Sequence, residues 1–138
     1  MGVFLLDTNI VVRSIKDREP AINANIASAI ERNHSLALSV ISLHELQVGV
    51  LRNANHQTAA KKLSSFLQLI SQFWDFDQED AMMAAEVRVT LMRRGNAIGH
   101  YDTLIAAQAL RRNATAVTNN VREFERIAGL QWVDWTRD

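Results

Sequence analysis

Short apolar runs alternate with longer amphipathic stretches along this chain. Five of the short runs predict β-strands: residues 3–6, 35–39, 73–76, 115–118 and a short segment within 129–135. The stretches between them have a period near 3.6 residues and predict helices: residues 9–16, a helix starting at Pro20, and residues 42–52, 57–71, 77 or 78 to 94, and 101–112. Strands that alternate with helices are typical of a parallel sheet covered by helices. We therefore expect an α/β fold with three layers, α/β/α, around a short and mainly parallel central sheet.

The apolar positions of each helix predict the side that faces the core. The inward positions are Ile22, Ile26 and Ile30 in the helix that starts at Pro20; Ala59, Ala60, Leu63, Phe66, Leu67 and Ile70 in the fourth helix; and Met82, Ala85, Val89 and Met92 in the fifth. Gly95 is expected to end the fifth helix, since glycine readily adopts the left-handed conformation that terminates helices.

The composition limits the class of protein. The chain has 138 residues and no cysteine, with 15 Lys and Arg against 15 Asp and Glu, so its formal net charge is zero. We expect one domain over residues 1–138. A neutral chain must hold any polyanion through local patches or metal ions. The sequence has no apolar run near the ~20 residues of a membrane span and no signal-peptide pattern, so we expect a cytoplasmic protein with no membrane partner.

Three acidic residues are expected at the carboxyl edge of the predicted sheet, where open α/β sheets bind ligands. Asp7 follows the first strand, Glu45 falls in the first turn of the helix after the second strand, and Asp102 opens the helix before the fourth strand. Each acid could instead serve a helix terminus. Asp7 could cap its helix, although Asn9 could do so in its place. Glu45 completes an S-x-x-E capping box with Ser42, and Asp102 is a first-turn acid.

Clustered carboxylates raise one another's pKa unless a cation lies between them. Oxygen ligands without cysteine or paired histidines favour a hard ion, Mg²⁺ or Mn²⁺. Such an ion can activate water, stabilise charge that develops on a phosphate and reverse the local sign of charge for an approaching nucleic acid. The pattern therefore predicts a metal site at this edge of the sheet.

Four segments of the chain together resemble the PIN-domain ribonucleases, and above all the VapC toxins of type II toxin–antitoxin pairs. They are LLDTN (5–9), SVISLHELQVGV (39–50), IGHYDTLIAAQA (98–109) and AVTNNVREFERIAGLQWVDW (116–135). The DTN motif alone is weak, and the resemblance is carried by the order and separation of all four segments. It extends from about Val3 to Trp135, nearly the whole chain.

The resemblance implies an endoribonuclease that cleaves RNA, tRNA above all, by attack of metal-bound water with Mg²⁺ or Mn²⁺. It assigns catalysis and metal binding to Asp7, Glu45 and Asp102. The supporting residues that it implies are Thr8, Asn9, Thr118, Asn120 and Glu123. Many PIN nucleases have a fourth acid after the last core strand, where this chain has Asn119 and Asn120. Whether Asn120 or Glu123 replaces that acid stays open, and we expect one firmly held ion.

The resemblance also implies partners. These are a small VapB-like antitoxin whose tail fills a groove and can place an arginine among the acids, an RNA substrate, and a second copy of the chain in a homodimer. Two other functions remain open. A PIN-like module could bind RNA or protein with little or no cleavage, as the missing fourth acid suggests. A phosphotransferase could use Asp7 as its nucleophile, although Asn9 stands where a partner acid is usual.

Overall fold

A computed structural model describes residues 2–137 and contains one central sheet of five parallel strands. The strands are β1 (Val3–Leu6), β2 (Ser35–Ser39), β3 (Gln72–Trp74), β4 (Thr115–Val117) and β5 (Gln131–Val133). They lie in the order β3-β2-β1-β4-β5. The direction of chain progression therefore reverses between β1 and β4. In open α/β sheets this reversal opens a crevice at the carboxyl ends of the two strands.

Helices cover both faces of the sheet. They are α1 (Thr8–Lys16), α2 (Pro20–Glu31), α3 (Val40–Arg52), α4 (His56–Leu67), α5 (Gln78–Arg93), α6 (His100–Arg111) and α7 (Val121–Phe124). Successive strand residues point to opposite faces. Leu6 accordingly packs in a core with residues of α1 to α4, whereas Leu5 packs in a second core with residues of α5 and α6. The predicted three-layer α/β/α fold is confirmed, and the sheet is parallel throughout its described strands.

Most predicted boundaries agree with the observed elements within a few residues. The predicted bounds of β1 and β2 are the observed ones, and Pro20 is the first residue of α2, as expected. Gly95, with a φ of 69°, follows the end of α5. The short helix α7 was not predicted. Among residues 2–137, the structure contains no helix long and apolar enough to cross a membrane.

The capping-box interpretation of Ser42 and Glu45 is wrong. Helix α3 begins at Val40, and its N-cap is Ser39, whose hydroxyl accepts a hydrogen bond from the Ile41 backbone N–H at 3.1 Å. Ser42 is fully buried inside the helix, and its hydroxyl has no hydrogen-bond partner among the described residues. Glu45 consequently lies in the second turn of α3 and has no capping role.

The predicted inward face of α5 is also wrong. Its buried apolar residues are Ala84, Val87 and Leu91. The four positions that were expected to face the core, Met82, Ala85, Val89 and Met92, are all exposed. Ile30 on α2 and Ala60 on α4 are likewise exposed rather than inward. Helix α5 therefore has apolar residues on two faces, and only one of these faces is buried.

An ion-pair network centred on the buried Asp80 joins α5 to α6, the helix that carries Asp102. The Asp80 side chain is 0% exposed and accepts hydrogen bonds from Arg111 Nε at 2.6 Å, Arg112 Nη2 at 3.2 Å and Gln108 Nε2 at 3.1 Å. Burial alone would raise its pKa, but the hydrogen bonds from Arg111 and its other donors outweigh burial and lower the pKa to about 2. The network thereby fixes α6 against α5.

Candidate active site

Asp7 lies where β1 ends and α1 begins. Its backbone N–H donates to the Val117 carbonyl of β4 at 3.0 Å, so the sheet's hydrogen bonding extends to this residue. Its carboxylate oxygen Oδ1 accepts from the Ile10 N–H at 2.8 Å, which makes Asp7 the N-cap of α1. Asn9 does not take the capping role suggested for it. Its side-chain amide donates instead to Asn119 Oδ1 at 3.1 Å.

The Asp7 carboxyl is almost completely buried, with only 4% of the residue exposed. Burial raises its pKa to about 6, although hydrogen bonds from the Thr118 side chain and the Ile10 N–H act in the opposite direction. The charge of Glu45 raises the pKa further, and that of Arg13 lowers it. The two hydrogen bonds thus compensate only part of the cost of burying this charge.

Glu45 reaches the same region from α3. Its Oε1 accepts a hydrogen bond from the Thr8 hydroxyl at 2.8 Å, and both residues are partly exposed. This bond joins the first residue of α1 to the second turn of α3. Thr8 therefore orients the Glu45 carboxylate toward the carboxyl end of β1.

Asp102, in the first turn of α6, meets residues that follow β4. The Asn120 side-chain amide donates to Asp102 Oδ2 at 3.2 Å and also to Glu123 Oε2. Burial raises the pKa of Asp102 to about 6, with further increases from the charges of Glu123 and Asp7. Gly99 permits this crowding, because a Cβ at that position would lie 3.3 Å from Asp102 Oδ2.

Helix α7 positions Glu123 beside these groups. Phe124 is fully buried and anchors the helix in the second core. One turn of helix then directs Glu123 back toward the end of β4, where its Oε1 accepts a hydrogen bond from the Gly99 N–H at 2.7 Å. Glu123 thus contacts both Asn120 and the start of α6, and it brings a fourth carboxylate to the site.

The three predicted acids line one cavity of about 540 Å³. Its lining residues are Asp7, Thr8, Asn9, Val12, Glu45, Asp102, Asn119 and Asn120. Two supporting residues from the sequence, Thr118 and Glu123, are outside this lining and act on Asp7 and Asp102 through hydrogen bonds. The cavity opens at the reversal between β1 and β4, which is where the fold places a ligand crevice.

Sequence reasoning did not assign Val12 to the site, and it placed Asn119 at the end of the fourth strand without giving it a role there. Asn119 follows β4 immediately before Asn120, and its place at a strand end was a usable signal. Val12 lies one helical turn after Thr8, so the helix repeat alone could have placed it at the cavity wall. The structure brings the predicted supporting residues together as the sequence suggested. They are Thr8, Asn9, Thr118, Asn120 and Glu123.

The charges of the acids act on one another in succession. The charge of Glu45 acts on Asp7, that of Asp7 on Asp102, and that of Glu123 on Asp102. Within residues 2–137 there is no group of three or more His, Asp or Glu side chains already arranged to hold a metal ion. The donor atoms are nevertheless all oxygens, and two of the carboxyls have a raised pKa that a nearby cation would lower. This chemistry fits Mg²⁺ or Mn²⁺.

The chain was compared with known proteins. The PIN domain family model matches residues 4–130. The ribonuclease VapC2 of Rickettsia felis is 36% identical over 135 residues, which cover 98% of this chain and 99% of that protein. The tRNA(fMet)-specific endonuclease VapC of Salmonella typhimurium is 33% identical over 132 residues, covering 96% of this chain and 97% of that protein.

Solved structures agree with these matches. The crystal structure of VapBC2 from Rickettsia felis bound to a DNA fragment from its promoter contains a chain that is 35% identical to this one, with a TM-score of 0.89 and coverage of 96% of this chain and 98% of that chain. The DNA-bound VapBC of Salmonella typhimurium contains a chain 32% identical with a TM-score of 0.88, covering 98% of this chain and 99% of that chain. The protein therefore belongs to the PIN-domain family, among its VapC ribonucleases.

Proposed function

We propose that this protein is the toxin of a type II toxin–antitoxin pair and cleaves RNA as a metal-dependent endoribonuclease. The observation that carries the proposal is the meeting of Asp7, Glu45 and Asp102 in one cavity at the reversal of strand order. The relatives' names, ribonuclease and tRNA(fMet)-specific endonuclease, support RNA as the substrate and tRNA as its class. We infer that one nuclease domain over residues 1–138 acts in the cytoplasm, where tRNA is found.

In this proposal Asp7, Asp102 and Glu45 hold Mg²⁺ or Mn²⁺, and Glu123 supplies the fourth carboxylate. When bound, the ion would promote deprotonation of a water molecule and offset the charge of the scissile phosphate. Asn120 bridges Asp102 and Glu123 through its amide and holds the two carboxylates beside each other at the edge of the cavity. Three carboxylates line the cavity itself, so one firmly held ion is expected.

Two further groups orient the reactants. Asn119 accepts from Asn9 through its carbonyl oxygen, which leaves its amide N–H groups to donate to a phosphate oxygen of the substrate. Thr8 holds Glu45 through the 2.8 Å hydrogen bond. Thr118 stabilises the ionised form of Asp7 and is a positioning residue, since it does not line the cavity.

Cleavage of a purified tRNA pool with Mg²⁺ or Mn²⁺ tests the proposal. Asp7→Asn and Asp102→Asn should each lower the cleavage rate by at least about 100-fold, the order found when a group that stabilises transition-state charge is removed. Glu31→Gln is the matched control, because it makes the same chemical change at an exposed position on α2 and should cleave normally. Full cleavage by both aspartate variants would refute the assignment of the site.

A second function has one observation in its favour. Because residues 2–137 contain no group of three or more acids or histidines already arranged to hold a metal ion, the domain could bind RNA or protein with little cleavage. That function predicts RNA binding unaffected by a chelator and no product with either metal. The nuclease proposal predicts that the chelator abolishes product and that added Mg²⁺ or Mn²⁺ restores it.

The antitoxin is the second proposed partner, and VapBC complexes among the structural relatives support it. A groove of about 430 Å³ between α1, α3 and α4 is lined mainly by apolar side chains. Val12 and Glu45 line both this groove and the acid cavity, so the two are continuous. We propose that the apolar tail of a VapB-like antitoxin fills the groove and that an arginine at its end pairs with Asp7 and Glu45.

Gly49 offers a direct test, because it lines the groove and a Cβ there would meet no atom within 4 Å. Gly49→Phe should fill the groove and weaken antitoxin binding at least tenfold in a titration, while RNA cleavage continues. Val48→Phe is the control, since its neighbour Val48 is exposed and outside the groove lining. Equal antitoxin affinity for both variants would show that the tail binds elsewhere.

A further inference from the structure

Basic and aromatic side chains on α5 and α6 form an exposed patch beside the acid cavity. The patch consists of Arg88 on α5 and of His100 and Tyr101, the first two residues of α6, and all three are exposed. The third residue of α6 is Asp102, which lines the cavity. Since an α-helix rises about 1.5 Å per residue, His100 and Asp102 are about 3 Å apart along the helix axis. The patch therefore lies directly beside one of the predicted metal ligands.

Arg88 is a cation without an acidic partner. The residues three and four positions away on α5 are all apolar, so the helix supplies no carboxylate to it. They are Ala84, Ala85, Leu91 and Met92. Within residues 2–137, Arg88 forms no salt bridge.

The contact between Arg88 and His100 leaves both side chains able to donate hydrogen bonds to a ligand. Arg88 Nη1 lies 3.5 Å from His100 Nδ1. A guanidinium only donates, so Nδ1 is the acceptor in this contact and Nε2 carries the ring proton. The remaining N–H groups of Arg88 and the Nε2–H of His100 are donors that no carboxylate neutralises. Donors of this kind are suited to the oxygens of a phosphate group.

The Arg88–His100 pair can be reached from two directions. Both residues line a depression of about 230 Å³ and a second depression of about 240 Å³, and Thr103 lines both as well. Most other lining residues are apolar. Sites for small molecules usually enclose most of the ligand surface, whereas this pair stands between two open depressions. Its form suits a chain that passes across it.

Tyr101 adds an aromatic ring to the patch. The ring is 45% exposed. It meets the His100 ring edge to face, with the ring centroids 6.1 Å apart and the planes at 61°. In an edge-to-face pair, His100 leaves at least one face of the tyrosine free. A free aromatic face binds an unpaired nucleic-acid base by stacking.

We propose that this patch binds the nucleotide next to the scissile phosphate of a single-stranded RNA. Arg88 and His100 donate to the phosphate of that nucleotide, and Tyr101 stacks on its base. The inference rests on the proposed nuclease function, which assigns the acid cavity to the scissile phosphate. In a duplex, the neighbouring base pairs cover both faces of a base, so Tyr101 selects an unpaired nucleotide.

The charges of the site explain why such a patch is needed. The cavity carboxylates repel every phosphate of the strand, and one bound ion offsets this repulsion at the scissile phosphate. The adjoining phosphate requires a cation of its own, and the patch provides one beside Asp102. The patch is also separate from the groove proposed for the antitoxin, because no residue of α5 or α6 lines that groove.

Titration of a short, fluorescently labelled single-stranded RNA in the presence of a chelator tests the patch without cleavage. Arg88→Met should weaken binding and reduce the slope of log K against log salt concentration by about 0.7, the value for one phosphate contact on a single strand. Arg88→Lys keeps the charge and should restore the slope. Tyr101→Leu should weaken binding by about fivefold or more and leave the slope unchanged, because stacking releases no counterions.

Two exposed residues outside the patch provide matched controls. Arg32→Met removes an arginine that follows α2, and Phe73→Leu removes an aromatic ring from the edge strand β3. Both variants should bind the RNA as the unmodified protein does. Tyr101→Leu should bind an RNA duplex of the same sequence as well as the unmodified protein does. Circular dichroism should match for all of these proteins.

Cleavage kinetics separate this inference from the nuclease proposal. With Mg²⁺, Arg88→Met and Tyr101→Leu should raise KM for the RNA and leave kcat unchanged, because they remove contacts made equally in the ground state and the transition state. If the unmodified protein cleaves no RNA but binds it with the predicted effects of the two variants, the nuclease proposal fails and the patch remains an RNA site. An unmodified protein that does not bind single-stranded RNA, or unchanged affinity in either variant, would overturn the inference.

Discussion

Replacing Asp7 by asparagine should stabilise the fold in the absence of metal. The pKa of Asp7 is raised from 3.8 to about 6 by burial, and each pKa unit corresponds to about 1.36 kcal/mol. The ionised carboxylate therefore destabilises the folded state by about 3 kcal/mol at neutral pH. The asparagine oxygen can still accept from the Ile10 N–H and cap α1, but its amide group needs a partner, which costs about 1 kcal/mol. The net gain expected for Asp7→Asn is about 2 kcal/mol.

The extra stability of Asp7→Asn over the unmodified protein should decrease as the pH falls. Because the folded pKa lies above the unfolded value, the native state binds the proton more tightly than the unfolded chain does. The unmodified protein consequently regains stability as the pH falls from about 6 toward 3.8, whereas Asp7→Asn has no such group at this position. The difference between the two proteins should be full above pH 6 and small near pH 4.

Urea unfolding at pH 7.5 and pH 4.5, each with a chelator, measures this difference directly. Mg²⁺ added at pH 7.5 should raise the unfolding midpoint of the unmodified protein and change that of Asp7→Asn much less, because a ligand stabilises only the state that binds it. Two outcomes would refute the argument that Asp7 is a buried charge stabilised by a bound cation. One is a variant less stable than the parent at pH 7.5, and the other is a difference in stability that is equal at both pH values.

Three other substitutions test separate parts of the structure. Asp80→Asn should destabilise the fold by about 2 kcal/mol at pH 7, because the half-buried Arg111 and Arg112 lose their charged partner. Because the pKa of Asp80 is lowered to about 2, the parent loses this contribution only as the pH falls from about 4 through 2. The free energies of unfolding of the two proteins should therefore converge in acid titration near pH 2. Gly99→Ala should slow RNA cleavage, measured with the tRNA pool, because its Cβ would lie 3.3 Å from the Asp102 carboxylate. An unchanged cleavage rate would show that the chain at position 99 shifts to accommodate the Cβ. A Cβ at position 49 would meet no atom within 4 Å. Gly49→Ala should therefore raise the free energy of unfolding by about 1 kcal/mol through helix propensity. A lower stability in urea would show that position 49 has no free space for a Cβ.

Local patterning predicted the strands well, because a short buried strand between polar ends has few alternative conformations. It also predicted that Asp7, Glu45 and Asp102 would reach one edge, since parallel strands place their carboxyl ends together. Local patterning could not predict the hydrogen bonds within the site. The Asn9–Asn119 pair joins residues that are 110 positions apart in the chain, and no local pattern specifies such a contact.

The face of α5 shows a different kind of failure. Periodicity identifies an apolar stripe but does not say whether the sheet or another molecule covers it. Helix α5 has two such stripes, and periodicity favours as the inward one the stripe with the larger side chains, around Met82 and Met92. The buried apolar residues of α5 are instead the small Ala84, the branched Val87 and Leu91. The location of Glu45 was misjudged for a related reason, because Ser39 and Ser42 are both suitable caps and only the first is used.

The order of the strands has a consequence for synthesis of the protein. Asp7 and Glu45 belong to the first third of the chain, but β1 needs β4 as its neighbour and the cavity needs Asn119 and Asn120, which follow β4. A chain emerging from the ribosome therefore carries its first acids long before the residues that complete the cavity. If the proposed nuclease depends on that cavity, unfinished chains are harmless to the ribosome that makes them, and an antitoxin has to intercept only finished molecules.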